Sequence, residues 1–289
     1  MKSFSVFSTK AFTLIELLVV ISIIGLLSSV VLASLTTTRT KAKLAAGKQF
    51  DASTYHAYGA DAPVYWSMDA IDTSPTRVSD LSGNLLNLSV AGAPQVVSGI
   101  LGNAINFQSS ADRLSITVPA TSALSGITSK GGTVSLWFKP SDLSAAGQGQ
   151  RILFFAVGSG SNRIYLRILG STVSVVRGSS ATNLNIGEAK VGEWTNVALS
   201  WTGGASGSTQ TMKGYLNGTK ISEAQYTEAG DLSGATIILG QQDSTADWNN
   251  FLGVIDEVHI YSNALADSQI RSMYLAEAPV VKRLVVQEK

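Results

Sequence analysis

Apolar positions fall along this chain in two different rhythms. From Phe12 to Leu35 the sequence reads FTLIELLVVISIIGLLSSVVLASL, and Leu17 to Leu35 contains no charge. As a helix the run is about 36 Å long, enough for the roughly 30 Å hydrocarbon core of a bilayer. Thr36 to Tyr58 follows with helix formers and a weak apolar stripe, Leu44, Phe50 and Tyr55. The first helix is therefore expected to continue as a stalk to about Tyr58, with His56 as a partly exposed helix residue. Gly59 and Pro63 then stop it.

Past residue 63 the rhythm changes to short alternating or β-branched runs split by Gly, Asn and Ser. Val64–Met68, Asn103–Phe107, Arg113–Val118, Thr133–Lys139, Ile152–Val157 and Arg163–Leu169 read as strands. So do Thr172–Arg177, Trp194–Trp201, Met212–Leu216, Thr219–Glu223, Thr236–Leu239 and Gly253–Tyr261. Asn217-Gly218 supplies the positive φ of a two-residue hairpin turn, and Gly170-Ser171 joins a second hairpin. A dozen strands without intervening helices predict an antiparallel two-sheet sandwich. Asp267–Glu277 reads as a short closing helix, N-capped by Ala266 or Asp267. The tail, 279–289, is open between a last strand and a loose end. The expected organisation is a leader at 1–11, a helix and stalk at 12–58, a linker at 59–63 and a sandwich at 64–278.

Composition narrows the function. The chain has 289 residues and a net charge of +1, with 21 basic against 20 acidic side chains. That balance argues against a nucleic-acid partner, which needs a clustered basic surface. No cysteine is present, which excludes a disulfide scaffold and a thiol nucleophile. Two histidines, His56 and His259, leave little material for a His-based metal cage. The charge is unevenly placed: Glu16 is the one charged residue in 12–35, residues 36–58 are net basic, and 59–289 are net acidic.

Three readings compete for the apolar span. A secretory signal has a shorter apolar core, although Val31-Leu32-Ala33 would suit a signal cleavage. A plain membrane anchor gives no reason for an acid in its first turns, where a carboxylate is costly and functional by default. The third reading accounts for Glu16. Lys10-Ala11-Phe12-Thr13-Leu14-Ile15-Glu16 resembles the cleavage and methylation motif of type IV prepilins and pseudopilins, and the resemblance covers about residues 1–48. It implies cutting between Ala11 and Phe12 by a prepilin peptidase that also N-methylates Phe12. It also implies assembly with other pilin-like subunits through Glu16. Two positions depart from the family: Ala11 stands where Gly is usual, and Ala33 where many pilins have a Pro. The basic residues after the span outnumber those before it, which by charge alone favours the opposite orientation. The cleavage motif instead puts the head outside the cytoplasmic membrane, and at the cell surface or pilus after assembly.

The strand order resembles the laminin-G-like domains of the concanavalin-A-like jelly-roll superfamily, across about 64–276. Tyr65–Asp69, Asp80–Asn84, Gly99–Phe107, Thr133–Pro140, Glu193–Ala198, Tyr215–Gly218, Phe251–Tyr261 and Ala264–Asp267 carry it. The fold class expected is therefore mainly β, a long pilin-type helix followed by a jelly roll. The resemblance implies binding of an extracellular glycan or protein, and candidate calcium ligands at Asp80, Asn84 and Asp256. For Asp80 an Asx turn, and for Asp256 a hydrogen-bonding strand acid, are the competing readings. Trp248, in a polar loop, is a candidate for stacking on a sugar ring, against rim packing. Trp66, Trp137, Trp194 and Trp201 read as core, and His259 as structural. The clustered acids of the superfamily's hydrolases, E-x-D-x-x-E on one strand, have no counterpart here, and GxSxG and HExxH do not occur. A binding protein rather than an enzyme is expected. The alternatives are a lectin-like protein that is anchored or secreted without polymerising, and an enzyme acting on polysaccharide.

Overall fold

The computed structural model describes residues 14–28 and 63–278, the latter apart from 123, 125–126, 128–130, 145–148, 158–161, 178–181, 206, 228–233 and 242–249. The chain divides into two units, Met1–Gln49 and Phe50–Lys289. In the first, residues 14–28 form a helix, α1. Its apolar side chains, Leu14 to Leu27, are all exposed within the single chain, and Ser22 Oγ donates to the Leu18 carbonyl within the helix. No helix among the described residues is long and apolar enough to cross a membrane. At fifteen residues α1 spans about 22 Å, and the rest of the apolar run, like Ala11, Phe12, the stalk with His56 and the 279–289 tail, lies outside the described residues.

The second unit opens with seven strands before the first long one: β1 (Val64–Trp66), β2 (Asp72–Thr73), β3 (Thr76–Val78), β4 (Leu88–Ala91), β5 (Gln95–Ser98), β6 (Asn103–Phe107) and β7 (Arg113–Thr117). The longer strands are β8 (Gly131–Pro140), β9 (Gln150–Val157), β10 (Asn162–Leu169), β11 (Thr172–Arg177), β12 (Thr182–Glu188), β13 (Thr195–Thr202), β14 (Thr209–Leu216) and β15 (Thr219–Thr227). β16 (Thr236–Leu239), β17 (Gly253–Tyr261) and helix α2 (Asp267–Glu277) close the domain. One sheet runs β15-β14-β13-β8-β17-β6-β5, with β1 also paired to β17. The other runs β12-β11-β10-β9-β16-β7-β4-β3-β2. Neighbouring strands are antiparallel throughout. The predicted two-sheet jelly roll is therefore the fold.

Alternation along each strand divides its side chains between two faces. Val134, Leu136 and Phe138 of β8 join Trp66, Phe107, Val197, Trp201, Ile237 and Ile255 in the core between the sheets. Trp137 points the other way and packs with Tyr274 and Ala278 of the α2 region. Ala198, Tyr215 and Tyr261 do the same against Leu265, Ile270 and Met273. Helix α2 thus covers the outer face of the eight-stranded sheet. Trp66, Trp137 and Trp201 are buried as expected, whereas Trp194 is half-buried with the Lys139 ammonium 5.0 Å from its ring centre.

Candidate functional site

The first sequence-selected residue, Glu16, lies on the first turns of α1. The cleavage pair Ala11 and Phe12 lies outside the described residues. So does Trp248.

Asp80 is buried in the turn after β3. Its Oδ1 accepts the backbone N–H groups of Tyr65 (3.2 Å) and Ser82 (2.9 Å). Its Oδ2 accepts the Ser82 hydroxyl (2.8 Å) and the Leu86 N–H (3.0 Å). Four donors fill the lone-pair directions of one carboxylate. Asn84 turns its amide N–H to the Pro63 carbonyl and to Ser82 Oγ. Asp256, on β17, accepts from Ile100 N (2.7 Å) and Leu101 N (3.5 Å) at Oδ2 and from Glu257 N at Oδ1. Burial and the adjacent Glu257 push its carboxyl well above the ordinary range, against the pull of those N–H groups. Calcium asks for six to eight oxygens free to face the ion. The oxygens of Asp80 and Asp256 accept protein N–H and hydroxyl donors, and Asn84 engages Pro63 and Ser82 through its amide N–H.

A different cluster forms on the helix-covered face. Strict alternation would point Glu257 into the core beside Ile255, which is forbidding for a carboxylate. The pairing of β17 with β8 shifts register between Asp256 and His259, and Glu257 adopts φ 47°. This bulge re-aims the strand, so that Ile255, Val258 and Ile260 all reach the core. Glu257 emerges on the outer face and accepts the Tyr65 hydroxyl at Oε2 (2.8 Å). Two residues on, the His259 ring stacks on Tyr65 with centroids 4.4 Å apart and 6° between planes. The third member comes from α2. Ile270, Met273, Tyr274 and Glu277 form its buried stripe, and Glu277 Oε2 accepts the indole N–H of Trp137. His259 Nε2 lies 3.3 Å from Glu277 Oε1 and 3.6 Å from Glu257 Oε2. Burial opposes a charged imidazole there, but Tyr261 and the two carboxylates outweigh it and hold the His259 pKa well above its usual value. Sequence reasoning left His259 as structural and missed Glu277. The signal was an acid at the seventh position of an otherwise apolar helical stripe.

Comparison with known proteins follows the same two units. A family profile described as the concanavalin A-like lectin/glucanases superfamily matches residues 111–271, more than half of the chain. A second, described as the prokaryotic N-terminal methylation motif, matches residues 7–32. No curated protein matches. Among solved structures, domain 4 of AbnA, a GH43 extracellular arabinanase from Geobacillus stearothermophilus in complex with arabinotriose, is 22% identical with a TM-score of 0.55. The match covers 74% of this chain and 98% of that one. The botulinum neurotoxin serotype D ligand binding domain in complex with N-acetylneuraminic acid is 17% identical, TM-score 0.55, over 76% of this chain and 52% of that one. The receptor binding domain of the botulinum neurotoxin C/D mosaic serotype is 19% identical, TM-score 0.56, over 74% and 51%. The chain thus spans about half the length of the neurotoxin domains. At these identities the likeness concerns the fold.

Proposed function

From the premise that this chain belongs to the concanavalin A-like lectin/glucanases superfamily and carries a prokaryotic N-terminal methylation motif, we propose that it is a prepilin-like surface protein whose head binds a glycan. A peptidase cuts before Phe12, the apolar helix holds the protein in the membrane and then enters a filament, and the jelly roll is displayed outside. One observation carries the reading: both matches lie on one chain, in the order anchor then head. The apolar residues of α1, exposed in the isolated chain, support a helix that needs lipid or neighbouring helices around it. Glu16 supports subunit register, because the amine freed at Phe12 gains a carboxylate partner in a neighbouring helix, and an unpaired charge there is costly.

The head binds without turnover in this proposal. Glycoside hydrolysis needs two carboxylates flanking an open sugar site, whereas Glu257 on β17 and Glu277 on α2 are both buried. The arabinotriose and N-acetylneuraminic acid complexes of the structural neighbours support a sugar as the ligand class. Labelling sheared filaments with antibody to the head tests assembly. Glu16→Ala should lower filament incorporation while leaving cleavage intact, and unchanged incorporation would remove Glu16 from the mechanism. A glycan array probed with the full chain tests the ligand, with Trp248→Ala expected to weaken binding. Release of reducing sugar would overturn the non-enzymatic reading.

A further inference from the structure

We propose that Glu257, His259 and Glu277 form a zinc site that fastens the last turn of α2 to strand β17. One ligand atom from each of the three lies within 4.8 Å of the others, and all three residues are buried. Two independent features point to an ion. His259 Nε2 is buried without a hydrogen-bond partner. It faces two carboxylate oxygens, at 3.3 Å from Glu277 and 3.6 Å from Glu257. Ligands 2.0–2.2 Å from a tetrahedral zinc stand roughly 3.3–3.6 Å from one another. The two measured separations fall on that edge length.

The charge balance agrees. Two carboxylates beside a neutral imidazole leave two buried negative charges, and protonating His259 removes one of them. A divalent ion on a neutral imidazole removes both, and uncompensated buried charge is what such sites avoid. The second shell is also in place. Tyr65 holds Glu257 through Oε2 and stacks on the imidazole. Trp137 holds Glu277 through Oε2, which leaves Oε1 turned toward His259. Outer partners of this kind orient metal ligands. The donor set selects the metal: an imidazole nitrogen with carboxylates suits zinc and its first-row neighbours, whereas calcium takes oxygens alone. Three protein ligands leave one position for water.

The test uses the purified full chain in detergent, without a histidine tag, stripped with EDTA and then offered zinc or calcium. After gel filtration one zinc per chain should remain by elemental analysis. The melting temperature should rise by several degrees with micromolar zinc and stay unchanged with calcium, since an ion bound only by the folded state stabilises it. His259→Gln and Glu277→Gln should each lose the retained zinc, and His56→Gln should keep it. X-ray absorption at the zinc edge of the wild-type chain decides the ligands even where a variant fails to fold. One imidazole nitrogen with oxygens at about 2.0–2.2 Å supports the site. No retained zinc, full retention by His259→Gln, or an absorption spectrum without imidazole overturns it.

Discussion

Buried aspartates in this head act as knots for backbone N–H groups. Asp80 ties the start of β1 to its own turn and to Leu86. Asp112 gathers the N–H groups of Ala93, Gln108 and Ser109, and Asp256 those of Ile100, Leu101 and Glu257. Most of these N–H groups come from turns and loops between strands, and a buried donor left unpaired costs about 1–3 kcal/mol. Asp80→Ala strands several donors at once, so a loss of about 3 kcal/mol is expected in urea unfolding. A loss under 0.5 kcal/mol, within the ordinary range of roughly neutral surface substitutions, would show that the turn does not depend on it. Asp112 adds a pH signature. Burial raises its carboxyl, but the three N–H groups outweigh that, and its pKa lies below 3.8. A folded-state pKa below the unfolded value gives stability that is present above the unfolded value and lost as pH falls through the folded one. The stability gap between wild type and Asp112→Asn should therefore be constant above pH ~5 and shrink in stronger acid. A gap that does not depend on pH would contradict the assignment. The Asx-turn reading of Asp80 was open to the sequence, because Asp-x-Ser-Gly-Asn is turn chemistry. Asp112 was not, because its partners come from two loops that sequence cannot bring together.

Among the elements, the hairpin between β14 and β15 shows how a local signal meets a distant constraint. Asn217 and Gly218 have φ of 50° and 71°, as the Asn-Gly pair predicted. Asn217 also bonds Asn196 by backbone and side chain. Gly218 has a second reason to lack a side chain, since a Cβ there would stand 2.7 Å from the Cβ of Tyr274 in α2. Gly218→Ala should cost about 2 kcal/mol, from the positive φ and the clash together. Circular-dichroism melting measures it, and a variant as stable as wild type would show that α2 does not pack there. The closing helix itself was legible. Ala266 is its N-cap, and Gln269 Oε1 accepts the Ala266 N–H. Asp267 instead accepts from Tyr215 and Lys213. The short strands β2 to β5 and the strand β12 were not predicted. β2 to β5 are two to four residues long and rich in Ser, Thr and Gln, so alternation is too weak to mark them, and β12 has only Leu184 and Ile186 as large apolar residues among Thr, Asn, Gly and Glu. The β17 bulge was also hidden, because the strand reads as continuous until its pairing with β8 is known.

As a whole the molecule joins two parts that the physics of solvents separates. The first offers an apolar helix with one acid, and the second folds its own core from two sheets closed by α2. Their order was legible because apolar run length and strand alternation are properties of the chain itself. The Glu257–His259–Glu277 cluster was not, since it depends on a bulge and on where a helix lands. The central claim is that the first part is a prepilin-type anchor, and processing separates it from a signal peptide or an uncut anchor. Mass spectrometry of the protein recovered from its own cell envelope should find a chain beginning at N-methylated Phe12. A chain beginning at Ser34, or one that keeps residues 1–11, would contradict it.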